Sequence, residues 1–334
     1  MANGSSKNYD DVVVRKPSLK VQLYKYRYFY LMAIPVIALL LIFFYWPMLG
    51  IRFAFSTYKL RNITNGSGPD YSTGFGNFER LFNGGNDSQV FFQALRNTLE
   101  LSIVNLILAM ICSVGIALLI NEIQNAWGKK FVQTVLYLPH FLSWVVVASI
   151  FTLILSAGAD STGADLTTMG FINAVLMKVG IIDEPVAFLT NTSTWRPVWY
   201  FIQRWKETGW GTIIYLAALS GISPDLYEAA EIDGAGRLKQ TWYITIPSLM
   251  NTILVVFILN LAKVLNVFES VFVLYNSLVY SVSDVIQCYT YRVGLVGNDY
   301  GYSTAIGLFK SLVSLILVTG SDIIAKKIRG YGIV

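Results

Sequence analysis

The chain has 334 residues, of which 54% are hydrophobic and 13% charged, with 25 Lys and Arg against 20 Asp and Glu, a net charge of +5 and a mean hydropathy of +0.54. Soluble domains carry about a quarter charged residues, so this balance excludes an ordinary soluble protein and makes the lipid bilayer the solvent. The basic residues lie at the flanks of apolar segments instead of gathering on one soluble face, which argues against a nucleic-acid partner.

In chain order, residues 1–27 form a polar tail with an amphipathic stretch through Leu19, Leu23 and Tyr26. Six segments then reach the roughly 20 apolar residues needed to cross about 30 Å of hydrocarbon: 28–50, 92–120, 132–156, 198–220, 247–272 and 302–325. Lipid offers no partner to an unpaired backbone group, so each is predicted to be α-helix. Pro35, Pro47 and Pro139 are expected to kink the spans that hold them. The first span is longer than a signal-peptide core and no small-residue cleavage site follows it, so it is expected to remain as an anchor. Tyr28, Tyr30, Trp46 and Trp127 sit near span ends as interfacial anchors.

Charge sets the orientation. Lys7, Arg15, Lys16, Lys20, Lys25 and Arg27 in the first tail, Lys129 and Lys130 between the second and third spans, Arg237 and Lys239 between the fourth and fifth, and Lys326, Lys327 and Arg329 in the last tail all fall on one side. The opposite loops, 51–91, 157–197 and 273–301, are longer and richer in acid, including Asp70, Asp87, Asp160, Asp165, Asp284 and Asp299. The positive-inside rule therefore places both termini and residues 223–247 in the cytoplasm.

A search for chemistry finds no catalytic constellation and no metal site. Gly128-Lys129-Lys130 lacks the upstream Gly and the Ser or Thr of a phosphate loop. Cys112 and Cys288 suggest neither a disulfide framework nor a cluster. His140, the single histidine, has two readings: a hydrogen-bonded packing residue between helices, or part of a transport path. More informative are the polar groups inside spans: Arg204, Lys206 and Glu207 in the fourth, and Asn260, Lys263, Asn266 and Glu269 in the fifth. An ion there costs about 2.5–3.5 kcal/mol on insertion scales, so these groups must face protein or water, by interhelical pairing, by snorkelling, or along a cavity. Asn260, Lys263 and Asn266 recur every three residues and are expected to form one stripe along a helix. Trp205, Lys206 and Trp210 are expected to face that stripe across a water-filled cavity, with Glu269 near its outer mouth. Polar and charged groups beside aromatic faces suit the hydroxyls and C–H faces of a sugar. Lys263 would favour an anionic sugar unless an acid such as Glu269 pairs with it.

The segment YEAAEIDGAGRLKQTWYITIP, Tyr227 to Pro247, stands out among the loops. Ser223 is a good N-cap, Pro224 suits the first helical position, and Gly234 or Gly236 can end the helix, so a helix of two to three turns is expected. Its Leu226, Ala229, Ala230 and Ile232 would present a small apolar surface to something outside the chain. Glu228-Ala229-Ala230, three residues, Gly234, nine residues, then Ile244-Thr245-Ile246-Pro247 resembles the EAA loop of permease subunits of bacterial ABC importers, with Ile246 where that family usually has Leu. The resemblance implies that Glu228, Ala229, Ala230, Asp233, Gly234, Ile244 and Pro247 couple the chain to an ATP-binding subunit.

Three further passages, Tyr137-Leu-Pro-His-Phe-Leu-Ser-Trp144, Gly209-Trp-Gly-Thr-Ile-Ile-Tyr-Leu-Ala-Ala218 and Asp299-Tyr-Gly-Tyr-Ser-Thr-Ala-Ile-Gly-Leu-Phe-Lys310, resemble the polysaccharide and oligosaccharide branch of maltose-type carbohydrate importers, the LplB type. That likeness runs from about 28 to 326. It implies an all-α polytopic membrane protein of the six-helix, MetI-like permease type, with a transmembrane domain over 28–325 containing the cytoplasmic coupling loop 223–247, and cytoplasmic tails 1–27 and 326–334. It also implies a second homologous permease, two ATP-binding subunits that hold ATP and Mg, an extracellular solute-binding protein, a carbohydrate substrate, and a place in the bacterial cytoplasmic membrane; no cofactor is expected in this chain. An amino-acid or peptide permease would share the EAA loop without the other passages, and a secondary transporter would show an inverted repeat.

Overall fold

The computed structural model describes residues 19–158 and 169–329. Lys7, Arg15 and Lys16 of the first tail, Asp160 and Asp165 of the second outer loop, and the last residues of the chain lie outside the described residues. Every described element is helical, and extended pairing among the described residues is limited to two isolated antiparallel bridges, Thr57 with Asp70 and Lys59 with Asp299. The chain divides into a unit up to Arg52 and a unit from Phe53 onward.

In the first unit a short helix, Leu19–Lys25, precedes α1, Arg27–Leu40, which runs on through one π-helical turn at Leu41–Tyr45 into Trp46–Met48. Pro35 inside α1 has no N–H to offer the carbonyl of Leu31. None of the α1 side chains is buried. From Leu31 onward its outward side chains are all apolar, so such a helix is at home in hydrocarbon.

In the second unit, α2 (Gly76–Asn83) leads into α3 (Asn86–Asn121), a helix of 36 residues and so about 54 Å long. The helix α4 (Ala126–Tyr137) tightens through Leu138–Phe141, and α5 (Trp144–Ile154) leaves at 99° to it. The segment 132–156, read from sequence as one kinked span, is therefore a broken one. Pro139 withholds a backbone donor, Leu142 and Ser143 are extended, and Ser143 Oγ restarts the helix by accepting from Val146 N at 3.3 Å. After α6 (Phe171–Lys178) comes α7 (Thr192–Leu219), then α8 (Pro224–Ile232) and α9 (Ile246–Leu261), the last preceded by Arg237–Gln240 and a π-helical turn at Thr241–Thr245. The chain closes with α10 (Ile286–Tyr291) and α11 (Tyr300–Arg329).

Arg27–Phe55, Asn86–Asn121, Arg237–Leu261 and Tyr300–Ile323 are each long and apolar enough to cross a membrane, and the bent pair can supply a further crossing. At 28 residues α7 has the length, but Arg204, Lys206 and Glu207 make it too polar to meet lipid on every side. The expected fifth span, 247–272, starts earlier and ends sooner: its helix begins at Arg237 and stops at Leu261, so Asn266 and Glu269 lie beyond its end. The single stripe expected through Asn260, Lys263 and Asn266 is thus not one helical face.

Small residues let the spans approach. A Cβ on Gly211 of α7 would stand 2.4 Å from Ser113 Oγ of α3, and one on Gly209 would stand 1.9 Å from the Leu136 carbonyl of α4. Close approach of this kind replaces the hydrophobic drive that lipid removes. Segment 273–301, expected as an outer loop, is packed: Leu274, Val279, Val285 and Cys288 join Leu101, Val147, Trp195 and Trp199 in one core. Trp195 Nε1 donates to the Leu274 carbonyl at 3.1 Å, and Asn97 Nδ2 donates to the carbonyls of Ser281 and Asp284. Arg80 joins Asp87 (2.6 Å) to Asp299 (2.8 Å) across the face of Tyr302.

Candidate functional site

Two features of the second unit carry functional weight, and the first is α8. Ser223 Oγ accepts from Asp225 N at 3.3 Å and Pro224 fills the first helical position. The helix ends at Gly234, whose φ of +77° suits a residue without Cβ. Gly234 N donates to the Glu231 carbonyl at 3.0 Å and Ala235 N to the Ala230 carbonyl at 2.8 Å, the paired closure of a Schellman cap. Asp233 is the C-cap residue. The Tyr227 hydroxyl meets Thr245 Oγ1 at 3.0 Å and Gln240 Nε2 donates to the Ala235 carbonyl at 3.0 Å, so α8 is tied to the start of α9. Glu228 and Ala229 are exposed, Ala230 is half-buried, and Leu226 and Ile232 stand 50% and 87% exposed. Ile244 is half-buried in the π-helical turn, and the exposed Pro247 lies in the first turn of α9. The result is a rigid, capped helix with an apolar face that this chain leaves uncovered.

The second feature is a cavity of about 320 Å³ between α3, α7 and α9. Its polar lining is Ser102, Asn105 and Ser113 from α3, Gln203, Arg204 and Glu207 from α7, and Asn260 and Lys263 at the end of α9; Trp210, Tyr215 and Phe257 add aromatic surface. A cavity of about 540 Å³ shares Gln203, Glu207, Lys263 and Val267 with it and adds Trp144, Asn266, Glu269, Ser270 and Gln287. Polar groups therefore line two adjoining cavities that share four residues.

Its charges are differently held. Arg204 Nη2 donates to Asn105 Oδ1 at 2.7 Å, while its buried Nε finds no acceptor. Glu207 has both oxygens engaged: His140 Nδ1 donates to Oε2 at 2.8 Å and Lys206 Nζ lies 3.1 Å from Oε1. A carboxylate only accepts, so Nδ1 is the protonated nitrogen of His140. Gln203 Nε2 donates to Ser270 Oγ at 2.6 Å, and Lys310 Nζ to Asn266 Oδ1 at 2.9 Å.

The residues singled out in the sequence separate into groups. Trp210, Asn260 and Lys263 line the first cavity, and Asn266 and Glu269 the second. His140 touches the lining by stacking on Trp210, ring centroids 4.5 Å apart, as well as through Glu207. Lys206 lines neither: it is 4% exposed, donates to the His140 carbonyl at 2.8 Å and lies over the Trp144 ring. Trp205 faces away, edge-on to Phe151 in an apolar pocket with Ile172 and Phe201, because residues two apart on a helix do not share a face and Gln203 and Glu207 already occupy the cavity side. Asn105, Ser102 and Ser113 escaped the sequence reading. Their signal was present, as polar groups inside the otherwise apolar 92–120.

Residues 113–330 match the family described as the binding-protein-dependent transport system inner membrane component. The polygalacturonan/rhamnogalacturonan transport system permease protein YteP of Bacillus subtilis is 39% identical over 328 residues, 97% of this chain and 96% of that protein. Protein LplB of the same organism is 39% identical over 308 residues, 92% of this chain and 91% of its own length. Among solved structures, a chain of a bacterial ABC transporter that imports the acidic polysaccharide alginate superposes with a TM-score of 0.81 at 35% identity, covering 93% of this chain and 99% of that one. The same transporter type was also solved with an alginate pentasaccharide-bound periplasmic protein, again at a TM-score of 0.81. A capped EAA helix, a polar intramembrane cavity and these likenesses converge, and the chain belongs to the family of binding-protein-dependent transport system inner membrane components, the permeases of ABC importers.

Proposed function

We propose that this chain is the permease subunit of an ATP-driven importer that, together with a second homologous permease, forms the path for an acidic oligosaccharide delivered by an extracellular binding protein. The observation that carries the reading is the pair of adjoining polar cavities, where Arg204 and Lys263 stand among amides and aromatic faces. Amides and hydroxyls replace water on the sugar hydroxyls, Trp210 offers surface to the C–H faces, and the cations suit carboxylates. The relatives support it, since YteP is named for polygalacturonan and rhamnogalacturonan and the alginate importer for an acidic polysaccharide. Amino-acid and peptide permeases find no such support.

In this reading, two ATP-binding subunits hold ATP and Mg and grip α8 from the cytoplasm. Glu228, Ala229, Ala230, Asp233 and Gly234 shape the gripped helix, while Ile244 and Pro247 pass its movement into α9. The tails 1–27 and 326–334 and the loop 223–247 are cytoplasmic, and the domain 28–325 lies in the bacterial cytoplasmic membrane. The periplasmic partner in the alginate structure supports a binding protein at the opposite side.

The test is uptake by the complex reconstituted in proteoliposomes. Asn260→Ala, Lys263→Ala and Asn266→Ala are expected to lower uptake of an oligogalacturonate several-fold while leaving assembly and basal ATP hydrolysis near wild type. Normal uptake in all three variants, or loss explained by failed assembly, would assign these residues to structure and remove the cavity from the path.

A further inference from the structure

Glu207 is the carboxylate of the inner cavity, and its place is more constrained than its position on α7 requires. Arg204 and Glu207 are three residues apart on one helix, a spacing at which side chains of opposite charge ordinarily meet, and a guanidinium prefers a carboxylate to a neutral amide. The structure holds them apart. Both Glu207 oxygens are taken by His140 and Lys206. His140 is fixed by its stack on Trp210, and Lys206 by the Trp144 ring and by the His140 carbonyl at the end of the first half of the broken span, where a cation is favoured by the helix dipole. Arg204 is left with the neutral Asn105 and an Nε that has no acceptor. Lys263 forms no ion pair among the described residues, and Glu269 does not neutralise it.

We propose that His140 and Lys206 lock Glu207 onto the bend of the broken span, and that the lock keeps Arg204 and Lys263 open as a subsite for a carboxylate of the transported chain. The proposal rests on reading the cavity as the path of an acidic oligosaccharide. His140 is a positioning residue: it touches no substrate and acts by denying Arg204 an internal partner. Arg204 lines the cavity with no internal carboxylate on its guanidinium, a group that a carboxylate of the substrate can pair with, and Lys263 supplies a second charge from the facing wall.

The experiment compares, in proteoliposomes carrying the whole complex, uptake of an oligogalacturonate and of its methyl-esterified, neutral counterpart of equal length, each loaded to saturation on the binding protein. The wild type is expected to favour the acidic chain. His140→Ala releases Glu207 to Arg204 and is expected to lower the acid-to-neutral ratio by about tenfold, the scale of one hydrogen bond to a charged group. His140→Ala combined with Glu207→Gln removes the competing carboxylate and is expected to restore the ratio, and His140→Asn, which keeps an N–H donor, is expected to preserve it. Arg204→Gln, with the lock intact, abolishes the preference. The lock is overturned if His140→Ala leaves the ratio unchanged, or if the double variant stays as low as the single, which would make His140 only a strut of the bend. Should His140→Ala not assemble, an unchanged ratio in Arg204→Gln overturns the subsite directly. A wild-type complex that takes both chains equally sinks the subsite while the path stands, and one that takes neither sinks both.

Discussion

A single missing methyl decides where α7 can lie. The Cβ of an alanine at 209 would stand 1.9 Å from a backbone oxygen, that of Leu136, which cannot swing aside as a side chain could. Overpacking of this kind costs about 1–3 kcal/mol, so Gly209→Ala is expected to lower the melting temperature of the detergent-solubilised protein and to loosen α4 from α7. Gly115 is the control: nothing lies within 4 Å of a Cβ built there, and Gly115→Ala is expected to be neutral or to stabilise by up to about 1 kcal/mol through helix propensity. Equal effects at the two positions would refute the close approach at Gly209. In the sequence nothing beside either glycine reports its clearance, because what distinguishes them is a carbonyl some 70 residues away in the chain.

At the scale of the element, α8 was legible almost atom by atom, since caps are local: Ser223, Pro224 and Gly234 occupy the positions that their own chemistry favours. Gly234→Val places a β-branched residue at φ of +77°, a conformation that costs L-residues roughly 1–2 kcal/mol, and it opens the cap beneath Ile232. The expected outcome is a complex that assembles but loses several-fold in substrate-stimulated ATP hydrolysis. Full stimulation in an assembled Gly234→Val complex would sink the coupling role of α8. The ends of α9 and the 99° break at Pro139 were less legible. Proline announced a kink, but its size depends on Lys206 and Ser143 receiving the freed backbone groups, and Lys206 comes from another helix.

For the whole molecule the testable quantity is sidedness. Charge bias puts Gly236 in the cytoplasm and Phe75 outside, with position 165 outside as well. With Cys112 and Cys288 replaced, single cysteines at 75 and 165 are expected to react with an impermeant thiol reagent in intact cells, and one at 236 only after the membrane is opened. Labelling of 236 from outside would invert the orientation and with it the roles given to α8 and to the outer segment. Position 75 is a fair probe, since Phe75 is 73% exposed.

What the sequence by itself determined is whatever depends on neighbours in the chain or on bulk composition: the membrane as solvent, the helical class, the order of the apolar segments, and the capped EAA helix with its uncovered face. Hydropathy, charge bias and capping are short-range or summed properties, so a linear reading suffices. Only the tertiary structure decided that residues 273–301 pack into the core, that Trp205 turns from the cavity, that Asn105 lines it, and that His140 and Lys206 together engage Glu207. Each of those depends on which face of one helix meets which face of another, and on where a broken helix leaves its free carbonyls. In lipid, where apolar surface gives little preference among packings, small residues and buried polar partners make that choice, and those partners lie far apart in the chain.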